Sequence, residues 1–76
     1  MTQRGLQDCI KDSLEKYFSD LNGETSNGVF KMVTQQTESA TITFVLDKVN
    51  QNQSEAARIL GINRATLKKK VSLYNL

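Results

Sequence analysis

Apolar residues in this chain recur every three or four positions over two long stretches. Leu6, Ile10, Leu14, Tyr17, Phe18 and Leu21 follow one another at intervals of 4, 4, 3, 1 and 3, the stripe of one helix face rather than the alternation of a strand. Val29, Phe30, Val33, Thr37, Thr41, Phe44, Val45 and Val49 keep the same rhythm, and no proline interrupts either run. The first stripe predicts a helix over about residues 5–21, with Asp8, Asp12, Glu15, Lys16 and Asp20 on its other face. Asn22-Gly23 supplies a left-handed stop, and Glu24 to Asn27 read as a polar loop. The second stripe is ambiguous at Thr41-Ile42-Thr43-Phe44-Val45, whose β-branched residues would suit a strand in isolation. The spacing continues on both sides, and no Gly or Pro punctuates residues 29–49. A long helix from about 28 to 49 follows, with a weak point near 37–43.

A chain of 76 residues buries a core worth only about 3–5 kcal/mol unless disulfides, metals or oligomerisation add to it. A single Cys9 closes no intramolecular disulfide, and with no His in the chain a structural zinc site is excluded. The missing His also removes Ser-His-Asp and Cys-His catalysis. So small a chain has little room for a sheltered cleft. The expectation is a protein that is not an enzyme and has no cofactor, metal or small-molecule substrate. No run approaches the ~18 apolar residues of a membrane span, Met1 is not followed by a signal peptide's apolar stretch, and one unpaired Cys suits a reducing cytoplasm. Cys9 itself reads as a small packing residue.

The charge is divided along the chain. Residues 1–49 carry five Lys or Arg against seven Asp or Glu, a net −2, whereas residues 50–76 carry five against Glu55 alone, a net +4. An anionic partner would therefore bind the last third. There, Asn50-Gln51-Asn52 forms a turn, Ser54 to Leu60 a short capped helix, and Gly61 its left-handed end. Asn63 stands at the N-cap of a fourth helix, Arg64 to Tyr74, whose inner face is Leu67, Val71 and Tyr74.

Two short helices joined by a tight Gly-containing turn, the second basic and led by an N-capping Asn, have the form of a helix-turn-helix. Ala56 and Ala57 allow a close crossing, and Ile62 and Leu67 pin the second helix onto the first. The N-terminal turn of a recognition helix reaches base edges, which here offers Asn63, Arg64 and Thr66, with Arg64 the natural reader of guanine O6 and N7. Lys68, Lys69 and Lys70 suit phosphates. Asn52 and Ser54 sit at the start of the preceding helix, where amide groups and helix dipole can hold another phosphate. Each assignment has a structural alternative: Asn63 as an N-cap, Asn52 and Ser54 as turn and cap residues, and the lysines as a solvated face.

The two short helices cannot cover stripes of about 16 and 22 residues. A homodimer in which the first two helices of each subunit form a four-helix bundle would bury them and present two recognition helices to two half-sites of double-stranded DNA. The expected architecture is one all-α domain, 1–76, with residues 1–49 dimerising and 50–76 forming the helix-turn-helix. Leu6, Ile10, Leu14, Phe18, Val29, Phe30, Val33 and Phe44 are its candidate dimer-interface residues.

Asn52 to Lys70, and above all Gly61-Ile62-Asn63-Arg64-Ala65-Thr66-Leu67-Lys68-Lys69-Lys70, closely resembles the helix-turn-helix of the Fis family of bacterial nucleoid-associated proteins. Leu14-Glu15-Lys16-Tyr17-Phe18 and Leu21-Asn22-Gly23 are similar to that family's first helix and following turn. The resemblance implies a homodimer in the bacterial nucleoid that bends degenerate, A/T-rich-centred sites, organises the chromosome and regulates transcription, with RNA polymerase a candidate partner. Its recognition helices would lie closer than one turn of straight DNA, so the duplex must curve and part of its specificity would come from deformability. Carried over by position, Asn63 and Arg64 contact bases, and Asn52, Ser54, Thr66 and Lys69 hold phosphates with Lys68 and Lys70 in support.

Three departures qualify this. Only about five residues precede the first helix, so the mobile arm with which family members activate DNA invertases is not expected. Glu38-Ser39-Ala40 lacks the proline that can kink the second helix, and Ser72 and Leu73 stand where further basic residues would extend phosphate contacts. Two other readings remain. One is the helix-turn-helix output domain of a larger activator, against which Met1 directly before a complete first helix argues. The other is a helical protein-interaction module.

Overall fold

The computed structural model describes residues 3–21 and 27–76, which form four helices: α1 (Gln3–Asp20), α2 (Val29–Lys48), α3 (Gln53–Leu60) and α4 (Arg64–Tyr74). The all-α reading and the helix order hold, with each boundary within about two residues of its expected place. Asn22-Gly23 and Glu24 to Ser26 lie outside the described residues. Gly28, expected as the first residue of α2, is instead its N-cap, in the left-handed region at φ 67°.

The expected weak point at 37–43 is absent, because α2 runs unbroken through it. Burial decides this. Ile42 and Leu46 are each only 3% exposed and join Ala56, Ala57 and Leu67 in the core, with Val45, Val49, Leu60, Ile62 and Val71 packed around it. Tertiary packing of this kind outweighs the few tenths of a kcal/mol by which β-branched residues disfavour a helix.

The core also corrects the stripe read from the sequence, which omitted Ile42 and Leu46. At about 100° per residue, Ile42, Val45, Leu46 and Val49 share one side of α2, while Val29, Val33 and Phe44 share a side roughly opposite. The helix is apolar on two faces, and one 3/4 series cannot represent both. Only the first face is covered. Among the described residues no Cα of α1 lies within 8 Å of another helix, and α1 looks across an open groove of about 380 Å³ toward α2. Leu6, Ile10, Leu14 and Tyr17 line one wall, Met32 and Val33 the other. The radius of gyration is 14.8 Å, against about 11 Å for a compact domain of this length.

The connection from α2 into α3 uses two consecutive left-handed residues, Asn50 at φ 54° and Gln51 at φ 67°. The Gln51 amide donates to the Leu46 carbonyl at 2.8 Å, and its side chain donates to Asp47 Oδ1 at 3.0 Å. Asn52 then caps α3, accepting from the Glu55 amide at 3.1 Å. The helix-turn-helix turn is closed by Gly61 at φ 74°, with the Gly61 and Ile62 amides both donating to the Ala57 carbonyl. A Cβ on Gly61 would meet nothing within 4 Å. Gly61→Ala therefore creates no clash, and its whole effect is the left-handed backbone penalty, a loss of about 1 kcal/mol. Urea unfolding should show a lower midpoint with an unchanged slope, and Gly61→Asn should recover part of the loss.

Candidate nucleic-acid interface

Leu67, fully buried against Ala56 and Ala57, fixes the rotation of α4 about its own axis. With Leu67 and Val71 turned inward, Lys68 and Lys69 project to solvent, and Arg64 and Thr66 stand exposed in the first turn. Asn63 has extended backbone and accepts from the Ala65 amide at 2.7 Å through Oδ1. Its cap role is therefore built, while its Nδ2 hydrogens remain donors available to a ligand. Asn52 caps α3 likewise, accepting through Oδ1 from the amide three residues on rather than two. Ser54, expected near the cap, is the second residue of α3 and is exposed.

Seven of the eight sequence-chosen binding residues thus lie exposed on the helix-turn-helix: Asn52, Ser54, Asn63, Arg64, Thr66, Lys68 and Lys69. Glu55 and Glu38 are engaged in pairs of their own. Glu55 accepts from Arg58 Nε at 2.9 Å, and the Arg58 guanidinium holds the Glu55 carboxyl below the usual carboxylate range. Glu38, on α2, accepts from Lys70. Among the described residues no ion pair engages Arg64, Lys68 or Lys69. These three form an uncompensated positive surface around the N-terminal half of α4, the field an anion would meet.

Lys70 departs from the expectation. Its Nζ sits 2.8 Å from Glu38 Oε1, and the Tyr74 hydroxyl donates to the same oxygen at 2.7 Å. Lys70 and Glu38 are each about one-third exposed, on the edge of α4 that faces α2. Helix geometry turns each successive residue by about 100°, which carries Lys70 from the outer face of Lys68 and Lys69 to the inner edge. The hydrogen bond from Lys70, then that from Tyr74, lowers the Glu38 pKa. The same carboxylate raises the pKa of Lys70 and of Tyr74.

Glu38 is the residue that sequence reasoning missed. The signal was present, since Glu38 precedes Ile42 by four positions and therefore lies on the face of α2 that carries Ile42 and Leu46. A carboxylate continuing an apolar stripe asks for a partner. The dimer-interface candidates cluster on the uncovered surface: Phe30 is 86% and Phe44 63% exposed, Leu6 and Phe18 each 50%, and Ile10, Leu14, Val29 and Val33 are half-buried.

Because its pKa is lowered on folding, Glu38 contributes stability above the unfolded glutamate value of about 4.3 that is lost as pH falls through the folded value. Lys70, with its pKa raised, contributes below about 10.4 and loses that contribution as pH rises beyond it. The stability difference between wild type and Glu38→Gln should therefore be flat from about pH 6 to 9 and shrink on acidification below about 4.3. Urea denaturation across that range checks the sign. A difference growing toward acid pH would contradict it.

No helix among the described residues is long and apolar enough to cross a membrane. Residues 35–74 match the family model for bacterial regulatory proteins of the Fis family. A protein of Ralstonia nicotianae described as Fis-like and DNA-binding is 42% identical over all 76 residues, which span 99% of its length. The DNA-binding protein Fis of Proteus mirabilis is 37% identical over the whole chain and 78% of its own length, and so is that of Escherichia coli O1:K1. These relatives are described as DNA-binding proteins, and the family model as bacterial regulatory proteins. With a helix-turn-helix of the expected form and relatives that span its full length, the chain belongs to the Fis family of bacterial regulatory proteins.

Proposed function

We propose that this chain is a homodimeric DNA-binding and DNA-bending protein of the bacterial nucleoid that regulates transcription and organises the chromosome. The observation that carries the reading is the first turn of α4, where a capped Asn63, an exposed Arg64 and the unpaired Lys68 and Lys69 share one positive surface. Asn63 and Arg64 read base edges in the major groove, Arg64 through its two-pronged donor fork. Asn52, Ser54, Thr66 and Lys69 hold phosphates, with Lys68 in support. Lys70 is withdrawn from this set by Glu38.

The dimer is supported by what one chain leaves uncovered. The accessible surface is 6193 Å², roughly 1,500 Å² above the ~4,700 Å² of a compact monomer of this mass. Specific interfaces bury about 800 Å² per partner, and obligate ones more. Pairing through α1 and the second face of α2 would cover Leu6, Phe18, Phe30 and Phe44. In the dimer the net charge doubles and both basic surfaces serve one duplex. Two recognition helices set closer than a turn of straight DNA would force the duplex to curve, which favours central A/T sequence whose minor groove is already narrow or whose TA steps bend readily. RNA polymerase is a further partner consistent with a transcriptional role.

Arg64→Ala should weaken binding to a specific site by about 1–3 kcal/mol, while Lys69→Ala should weaken all duplexes alike and lower the salt slope by about one. Equal Arg64→Ala losses on specific and random DNA, measured by fluorescence anisotropy, would argue against base reading. Circularly permuted fragments in gel retardation test binding and bending together, since a bend makes mobility depend on site position. Light scattering at micromolar concentration should give a dimer; a folded monomer would remove the bundle.

A further inference from the structure

Resting on the proposed function, we propose that Glu38 is a positioning residue that locks the recognition helix to the dimerisation helix, and so sets the DNA shape the protein selects without touching DNA. α4 is held at two points. Its N-terminal half is fixed by Leu67, fully buried against α3, and by the turn through Gly61. Its last turn has no fully buried side chain; there Lys70 and Tyr74 converge on one oxygen of Glu38 at 2.8 and 2.7 Å. Lys70 lies 32 residues and Tyr74 36 residues along the chain from Glu38, so this bond ties two elements that sequence proximity does not hold together.

The geometry makes the second point matter. Leu67 to Tyr74 spans about 10 Å of helix, a lever whose far end is fastened by the Glu38 carboxylate. Without it α4 can pivot about Leu67. A tilt of about 10° would move the Arg64 backbone by roughly 0.8 Å, beyond the ~0.5 Å tolerance of a preorganised site. In the dimer each α4 is referenced to its own α2, so the error enters twice in the distance between recognition helices. That distance is what a half-site spacing and a bend report.

The pair is also placed to resist solvent. Glu38 and Lys70 are each about one-third exposed and bonded by a charge-assisted hydrogen bond, with Tyr74 adding a second donor, so screening weakens the contact less than a surface pair. Arg64, Lys68 and Lys69 stay outside this network and keep their charge for the ligand. Position and attraction are divided between different residues.

The experiment compares Glu38→Ala and Tyr74→Phe, which loosen the lock without deleting a cation, with Lys69→Ala, which deletes a cation without touching the lock. Each full-length dimer is titrated on dye-labelled duplexes carrying the best half-site spacing or the same half-sites moved by one base pair, with end-to-end energy transfer reporting the bend. For Glu38→Ala the affinity ratio between the two spacings should fall about tenfold and the bend distribution should broaden, while the salt slope stays that of wild type. Lys69→Ala should lower affinity on both duplexes and leave the ratio unchanged. If Glu38→Ala fails to fold by circular dichroism, Tyr74→Phe, which leaves the Lys70–Glu38 pair in place, should still narrow the ratio in the same direction. Unchanged spacing preference and bend in a folded Glu38→Ala would overturn the inference alone. So would a uniform gain in affinity with a steeper salt slope, because Glu38 would then be competing with phosphate for Lys70. A wild-type protein that binds no DNA or leaves it straight would remove the proposed function and this inference with it.

Discussion

The fold depends on the burial of Leu67 between Ala56 and Ala57 of α3 and the Ile42–Leu46 side of α2. Leu67 is the largest side chain with no exposure, and Ala56 lies fully buried against it. Alanine there is a geometric requirement, since a larger residue at a helix crossing would separate α3 from α4 and open the core. Because Leu67 points inward, the rotation of α4 is decided, and with it the exposure of Arg64, Lys68 and Lys69. One apolar contact therefore orients the polar surface proposed to meet DNA.

The two caps extend this economy. Asn52 and Asn63 each spend the side-chain oxygen on an amide of their own helix, at 3.1 and 2.7 Å. A carboxylate would cap as well but would put negative charge on the surface proposed to meet phosphate, and Ser would keep the cap while offering one donor in place of two. Asparagine can meet both demands, so the cap at each position is compatible with the proposed contact to DNA.

Much of this was legible in the sequence, and the exceptions have a common cause. Periodicity and punctuation place α1, α3 and α4, because each buries or offers one face and ends at a residue with a backbone preference, such as Gly61 or Asn63. α2 defeats the same procedure. With Ile42, Val45, Leu46 and Val49 on one side and Val29, Val33, Phe30 and Phe44 on another, its apolar residues form no single stripe, and the series chosen mixed the two faces. Glu38 was missed for the same reason, since its place on the Ile42 face is visible only once that face is separated. Lys70 follows Lys68 and Lys69 in sequence, but on a helix adjacency in sequence means separation in direction, and its partner Glu38 lies on another helix. Patterns within one helix can be read from spacing, while a pairing between residues 38 and 70 needs the packing of α2 on α4.

The two faces of α2 also explain how a chain this short can work at all. Among the described residues the core has five buried side chains, a size that supplies only a few kcal/mol, and contacts with a second copy in the proposed dimer would add to it. If the second face of α2 pairs with another copy, folding and association become one equilibrium, and the stability of the reading head depends on protomer concentration. The same helix then transmits rigidity in both directions. Its C-terminal half carries the helix-turn-helix through Ile42 and Leu46, its outer face carries the partner, and Glu38 ties the last turn of α4 to that frame. A flexible connection between these parts would let each recognition helix find its own half-site at little cost, and the duplex would have no reason to bend. Stiffness along α2 is therefore the physical condition for selecting DNA by shape, and the absence of proline from that helix is consistent with it.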